Sequence, residues 1–190
     1  MGSISLKYKS KSGNLTAPGD VDPGAMIPIA TSTVGSGGGT ISFSNIPQNY
    51  EHLQLRILAQ PYYASTSAGN ITARFNSDSG ANYTRYGIYA DGSTAGYSYT
   101  GYTYAAIDRF YYAPSGSIFS AVIVDILDYS NTNKYKTIRA LGGYNTGSVG
   151  DIRTNASLWS STAAITSISF SDTLNQNSTI ALYGIKRAGA

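Results

Sequence analysis

The chain has 190 residues, of which 12% are charged, with a formal net charge of +3 and no cysteine. That length suffices for one domain with a substantial core and does not demand two. The missing cysteines exclude disulfides and thiolate metal sites, the scattered Lys and Arg exclude the concentrated basic stripe that nucleic acid needs, and no apolar run reaches bilayer length. A soluble chain is expected, with neither nucleic acid nor membrane as a partner and no cofactor.

The first segment to interpret runs from Lys7 to Pro28, "KYKSKSGNLTAPGDVDPGAMIP", and contains Pro18, Pro23 and Pro28, half of the six prolines. Proline fixes φ and lacks a backbone donor, so neither a helix nor a central strand is expected here. Residues 1–28 are predicted to form an extended N-terminal docking arm and residues 29–190 a β-sandwich domain. The candidate arm contacts are Lys7, Tyr8, Lys9, Lys11, Pro18, Asp20, Asp22, Pro23 and Met26. In an extended chain the three lysines point the same way, which suits a solvated basic tail better than a phosphate contact.

After Pro28 the pattern becomes short alternating or β-branched runs separated by Gly, Asn, Asp and Ser, as in an all-β sandwich. "GSGGGT", from Gly35, contains no Lys and opens no helix, so it predicts a hairpin turn and no phosphate cradle. "TISFSNI" places Ile41 and Phe43 on one face, "HLQLRIL" does so with Leu53, Leu55 and Ile57, and "ITARFN" with Ile71, Ala73 and Phe75. "NSDSGANY" then reads as a turn.

The run "SIFSAVIVDILDYSNTNKYKTIRAL" predicts a long hairpin around "DYSNTN". Its first arm lacks clean alternation, which predicts a central strand covered on both faces. "DIRTNASLW", "AITSISFS" and "TIALYGIK" supply further strands, with Trp159 a core or sheet-end residue. The total of eight to ten strands predicts an antiparallel β-sandwich of jelly-roll type.

Tyrosine is the unusual component. There are 17, and nine fall between Tyr83 and Tyr112. A tyrosine offers a broad apolar ring and a polar tip at low entropy cost. Tyr83, Arg85, Tyr86, Tyr89, Asp91, Tyr97, Tyr99, Tyr102 and Tyr104 are therefore a candidate subunit interface or, second, a glycan-binding face, with Asp108 a further polar group within reach of a sugar. A row of strands exposed to water is the plainer alternative.

Catalytic constellations are weak. The single histidine, His52, occupies an alternating polar position, and no G-x-S-x-G elbow accompanies it. The carboxylate pairs Asp20 with Asp22, Asp78 with Asp91, and Asp125 with Asp128 sit in or beside turns, where Asp is ordinary turn chemistry. No catalytic residue and no metal ligand is assigned.

The opening "LKYKSKSGNLTAPGDVDPGAMIPIATSTV", followed by "SFSNIPQNYEHLQLRI", "RFNSDSGANYT", "DILDYSNTNKYKTIRAL", "ITSISF" and "IALYGIKRA", resembles a family of small virion structural proteins of tailed bacteriophages, notably cyanophages. The resemblance implies a non-enzymatic capsid decoration or cement protein, located in the virion, docked on the capsid shell through its arm and assembled as a homotrimer. It equally accommodates a tail or fibre appendage that docks on a tail adaptor and presents the tyrosine-rich face to a host glycan. A polysaccharide depolymerase is the third reading, resting only on unplaced carboxylates.

Overall fold

The computed structural model describes residues 25–62, 68–111 and 117–187. They form twelve strands and no helix: β1 (Met26–Thr33), β2 (Ser42–Phe43), β3 (His52–Ala59), β4 (Ala68–Phe75), β5 (Tyr83–Ala90), β6 (Thr94–Tyr102), β7 (Ala105–Tyr111), β8 (Ser120–Leu127), β9 (Lys136–Asn145), β10 (Gly150–Trp159), β11 (Ile168–Phe170) and β12 (Thr179–Ile185). Eight strands make one sheet in the order β1-β12-β3-β8-β9-β10-β5-β6, and four make the other in the order β2-β11-β4-β7. Every pairing is antiparallel, and the fold is an all-β sandwich.

Alternation decides which face each strand buries. Leu53, Leu55 and Ile57 of β3 point inward, as do Ile71, Ala73 and Phe75 of β4, all at or near zero exposure. The hairpin of β8 and β9 pairs from Leu127 with Thr137 to Ala121 with Gly143, adding Val122, Val124, Ile126, Ile138 and Ala140 to the same core. Each fully buried Leu, Ile or Phe there contributes roughly 1.5–3 kcal/mol over its exposed state. At one end Trp159 packs against Phe75 and Tyr83, with ring centroids 5.6 and 6.4 Å away, and its Nε1 donates to Asp78 Oδ2 at 2.7 Å.

Three expectations are corrected. Met26 and Pro28 belong to β1, not to an arm ahead of the sandwich: Met26 pairs with Ile185 and Pro28 with Tyr183. Proline is accommodated because β1 is an edge strand and its register shifts between Pro28 and Ala30. The rest of the proposed arm, residues 1–24, lies outside the described residues. β8 is central but not covered on both faces, since Ser120, Val122, Val124 and Ile126 are buried while Ala121 is exposed and Ile123 half-buried. Finally, "GSGGGT" makes no hairpin: it carries the chain from β1 in one sheet to β2 in the other, with Gly37 and Gly38 at φ +87° and +77°.

Candidate functional site

β9, β10, β5 and β6 extend the large sheet sideways, and β7, the edge of the small sheet, packs across β9 and β10. On this extension the inner face changes character. β10 buries its polar side: Asp151, Arg153, Asn155 and Ser157 are all at most 8% exposed, while Ile152 faces out at 60%. The cross-strand neighbours continue the pattern: Arg153 is opposite Tyr89, Asn155 opposite Gly87 and Ser157 opposite Arg85, and beyond them on β6 Tyr97 is opposite Gly87 and Tyr99 opposite Arg85.

These groups are bound to one another. Arg153 reaches a single oxygen of Asp151 with Nε at 3.0 Å and Nη2 at 2.5 Å, and Arg109 Nη1 stands 4.0 Å from the same oxygen. The Arg153 guanidinium lies 4.4 Å from the Tyr89 ring centroid, and that of Arg85 lies 4.7 and 5.3 Å from Tyr97 and Tyr99. Such stacking stabilises a weakly hydrated guanidinium out of water. The Tyr97 hydroxyl donates to Asn155 Oδ1, and Asn155 Nδ2 donates to the Ile107 carbonyl at 3.0 Å, which ties the two sheets together. Gly87 leaves the space for this link, because a side chain there would meet Tyr97 Oη and Asn155 Oδ1.

Asp108 of β7 completes the cluster. It is fully buried, and burial pushes its carboxyl up to about 7 despite the Arg109 backbone N–H at 2.6 Å and the nearby Arg153 and Arg85. Burial likewise raises the Tyr97 hydroxyl. Among the described residues, the buried side-chain atoms that make no hydrogen bond are Arg85 Nε, Asp108 Oδ2, Asp151 Oδ1 and Ser157 Oγ, all on this face or packed against it. Such atoms cost stability wherever water does not reach them.

Over it runs a ladder of rings: Tyr89 to Tyr97 at 6.1 Å, Tyr97 to Tyr99 at 5.9 Å, Tyr99 to Tyr102 at 5.7 Å and Tyr102 to Tyr104 at 5.1 Å. Five of the nine predicted contact residues thus form one array. The other four go elsewhere. Tyr83 is a core residue at 1% exposure and Arg85 is buried beneath the ladder, so neither presents a surface. Tyr86 is on the opposite face of the sheet, and Asp91 lies in the β5–β6 turn, accepting from Ser93 Oγ. Of the predicted arm contacts, Met26 lies in β1, while Lys7, Tyr8, Lys9, Lys11, Pro18, Asp20, Asp22 and Pro23 lie outside the described residues.

A second surface was not anticipated. On the outer face of the large sheet Leu58, Leu141 and Ile152 are each at least half exposed, as is Val149 of the β9–β10 turn beside them. Small residues separate them, since Ala121 and Gly143 lie between Leu58 and Ile152 across the sheet, giving a shallow apolar trough. The next outward row is polar, with Gln54 Nε2 donating to Asp125 Oδ1 at 2.7 Å opposite Arg139.

Glu51, His52 and Asp128 also converge within reach of one ion. Each already has a protein partner: His52 Nδ1 accepts the Asp128 backbone N–H at 3.0 Å, Lys134 Nζ lies 2.8 Å from Asp128 Oδ2, and Arg187 Nε lies 3.6 Å from Glu51 Oε1. The group is a small ion-pair network at the sheet end.

Comparison with protein-family models, with curated proteins and with solved structures finds no match to this chain.

Proposed function

We propose that this chain is a non-enzymatic structural protein of a tailed-phage virion, a capsid decoration or cement protein that docks on the shell through residues 1–24 and projects its sandwich outward. The observation that carries this reading is the apolar trough of Leu58, Leu141, Val149 and Ile152 on an otherwise sparsely charged body. Contiguous apolar surface with a polar rim is the anatomy of a protein–protein contact, and low charge keeps desolvation cheap. Neighbouring virion proteins would cover it and stabilise the shell by mass action.

The topology supports the jelly-roll form. With β5, β6, β9 and β10 set aside, the remaining strands order as β1-β12-β3-β8 and β2-β11-β4-β7, and the connections β1 to β2, β3 to β4, β7 to β8 and β11 to β12 pass between sheets. That order supports reading the scaffold as the eight-strand double Greek key found in viral capsid and lectin domains. The tyrosine ladder then belongs to the added β5–β6 hairpin and the polar residues beneath it to the added β9–β10 hairpin, a site built on a scaffold.

The ladder favours one second reading, a tail or fibre appendage whose Tyr99, Tyr102 and Tyr104 stack on a host glycan. Cryo-electron microscopy of virions from a phage encoding this chain tests both. Density on the shell is the expected result, density on the tail turns the proposal to the appendage, and absence of the chain from purified virions overturns it.

A further inference from the structure

Two sheets have four lateral edges, and three of them are guarded. β1 carries Pro28, which has no backbone N–H, beside a register shift. β2 is two residues long. β7 places Asp108 and Arg109 in sequence, facing a register shift at Ile71 and Thr72 of β4. Charge, proline, shortness and bulges are the devices that keep sheet edges from pairing.

β6 has none of them over its first six residues. From Thr94 to Tyr99 it pairs with β5 in unbroken register, and it contains neither charge nor proline. Its other side has no strand partner among the described residues. The one irregularity, where Gly101 takes φ +73°, comes after this run.

We propose that β6 is a pairing edge for a second copy of this chain, antiparallel β6 to β6 about a two-fold axis, joining two eight-stranded sheets into one. In an isologous contact residue i of one copy meets residue j of the other and j meets i, so with the axis at Gly96 position 94 faces position 98 and like charges there would oppose each other. A run neutral throughout is self-compatible, and Thr94, Ala95, Gly96 and Ser98 are small enough for close approach. Tyr97 and Tyr99 share the inner face with Gly87 and Arg85, so pairing sets the two tyrosine ladders side by side. This contact does not depend on the virion reading, but it puts a two-fold dimer in place of the homotrimer that the resemblance implies.

The test is sedimentation equilibrium of the full chain and of the double variant Thr94→Lys/Ser98→Lys. Both positions are exposed and lie on the outer face with Ala90 and Tyr86, so the fold is retained, as circular dichroism checks. The expected result is a dimer for the parent, a monomer for the lysine variant, and a dimer again when the lysine variant is mixed with Thr94→Glu/Ser98→Glu. A monomeric parent, a trimer, or a dimer that the lysines leave intact overturns the proposal.

Discussion

The carboxylate of Asp108 occupies the space that a side chain at position 142 would need, since a β-carbon on Gly142 would meet Asp108 Oδ2, the Val122 side chain and the Ala121 carbonyl. Gly142 is therefore the opening in β9 through which β7 lays its buried acid onto the large sheet. The Gly142→Ala variant is expected to lose about 1–3 kcal/mol of stability by overpacking, measured as a lower urea midpoint with an unchanged slope.

Asp108 itself makes stability depend on pH. Its folded value of about 7 lies above its ordinary 3.8, so the favourable contribution of the protonated carboxyl is complete below the ordinary value and disappears as pH rises through 7. The full swing is at most roughly 4 kcal/mol. Asp108→Asn should raise the melting temperature relative to the parent at pH 8 and close that gap towards pH 4; a difference that does not change with pH would contradict the assignment.

The position of β1 sets where the N-terminus can be cut. Removing residues 1–24 spares every β1 to β12 pair and should leave thermal melting unchanged while abolishing attachment to the shell. Removing residues 1–33 uncovers the edge of β12, "TIALYGI", and should produce aggregation, seen as light scattering on concentration.

Leu141→Ser together with Ile152→Ser exchanges exposed apolar groups for polar ones. Stability should move by no more than about 0.5 kcal/mol per site in chemical denaturation. Incorporation into virions, followed by quantitative mass spectrometry, should fall at least tenfold.

If the appendage reading holds, Tyr99→Ala, Tyr102→Ala and Tyr104→Ala combined should abolish binding to host cell-wall polysaccharide in a pull-down. Tyr97 is spared because its hydroxyl links β6 to Asn155 and thereby to the small sheet. Retained binding by the triple variant would remove the ladder as the ligand face.

Much of the fold was legible because inward residues alternate cleanly: Leu53, Leu55 and Ile57, or Ile71, Ala73 and Phe75, announce a strand and its buried side together. The candidate site was legible only as composition. "DIRTNASL" alternates too, but its polar side is the buried one, and hydrophobicity points the wrong way for Asp151, Arg153, Asn155 and Ser157. Asp151 and Arg153 pair two positions apart on one strand face, but Asn155 meets Ile107 of β7 and Arg153 meets Tyr89 of β5, far away in the chain, so no local pattern could have assembled the cluster. The same non-local pairing divides the tyrosines: Tyr83 goes to the core, Tyr86 to the outer face and Tyr89 to the ladder, a partition fixed by register rather than residue type.

Trp159 stands where the sheets meet, its ring between Phe75 of the small sheet and Tyr83 of the large one, and it is the chain's only tryptophan. The protein thus carries its own optical gauge. Indole emission reports whether that seam is closed, so docking, pairing and truncation can each be followed for loosening of the sandwich without attaching a dye.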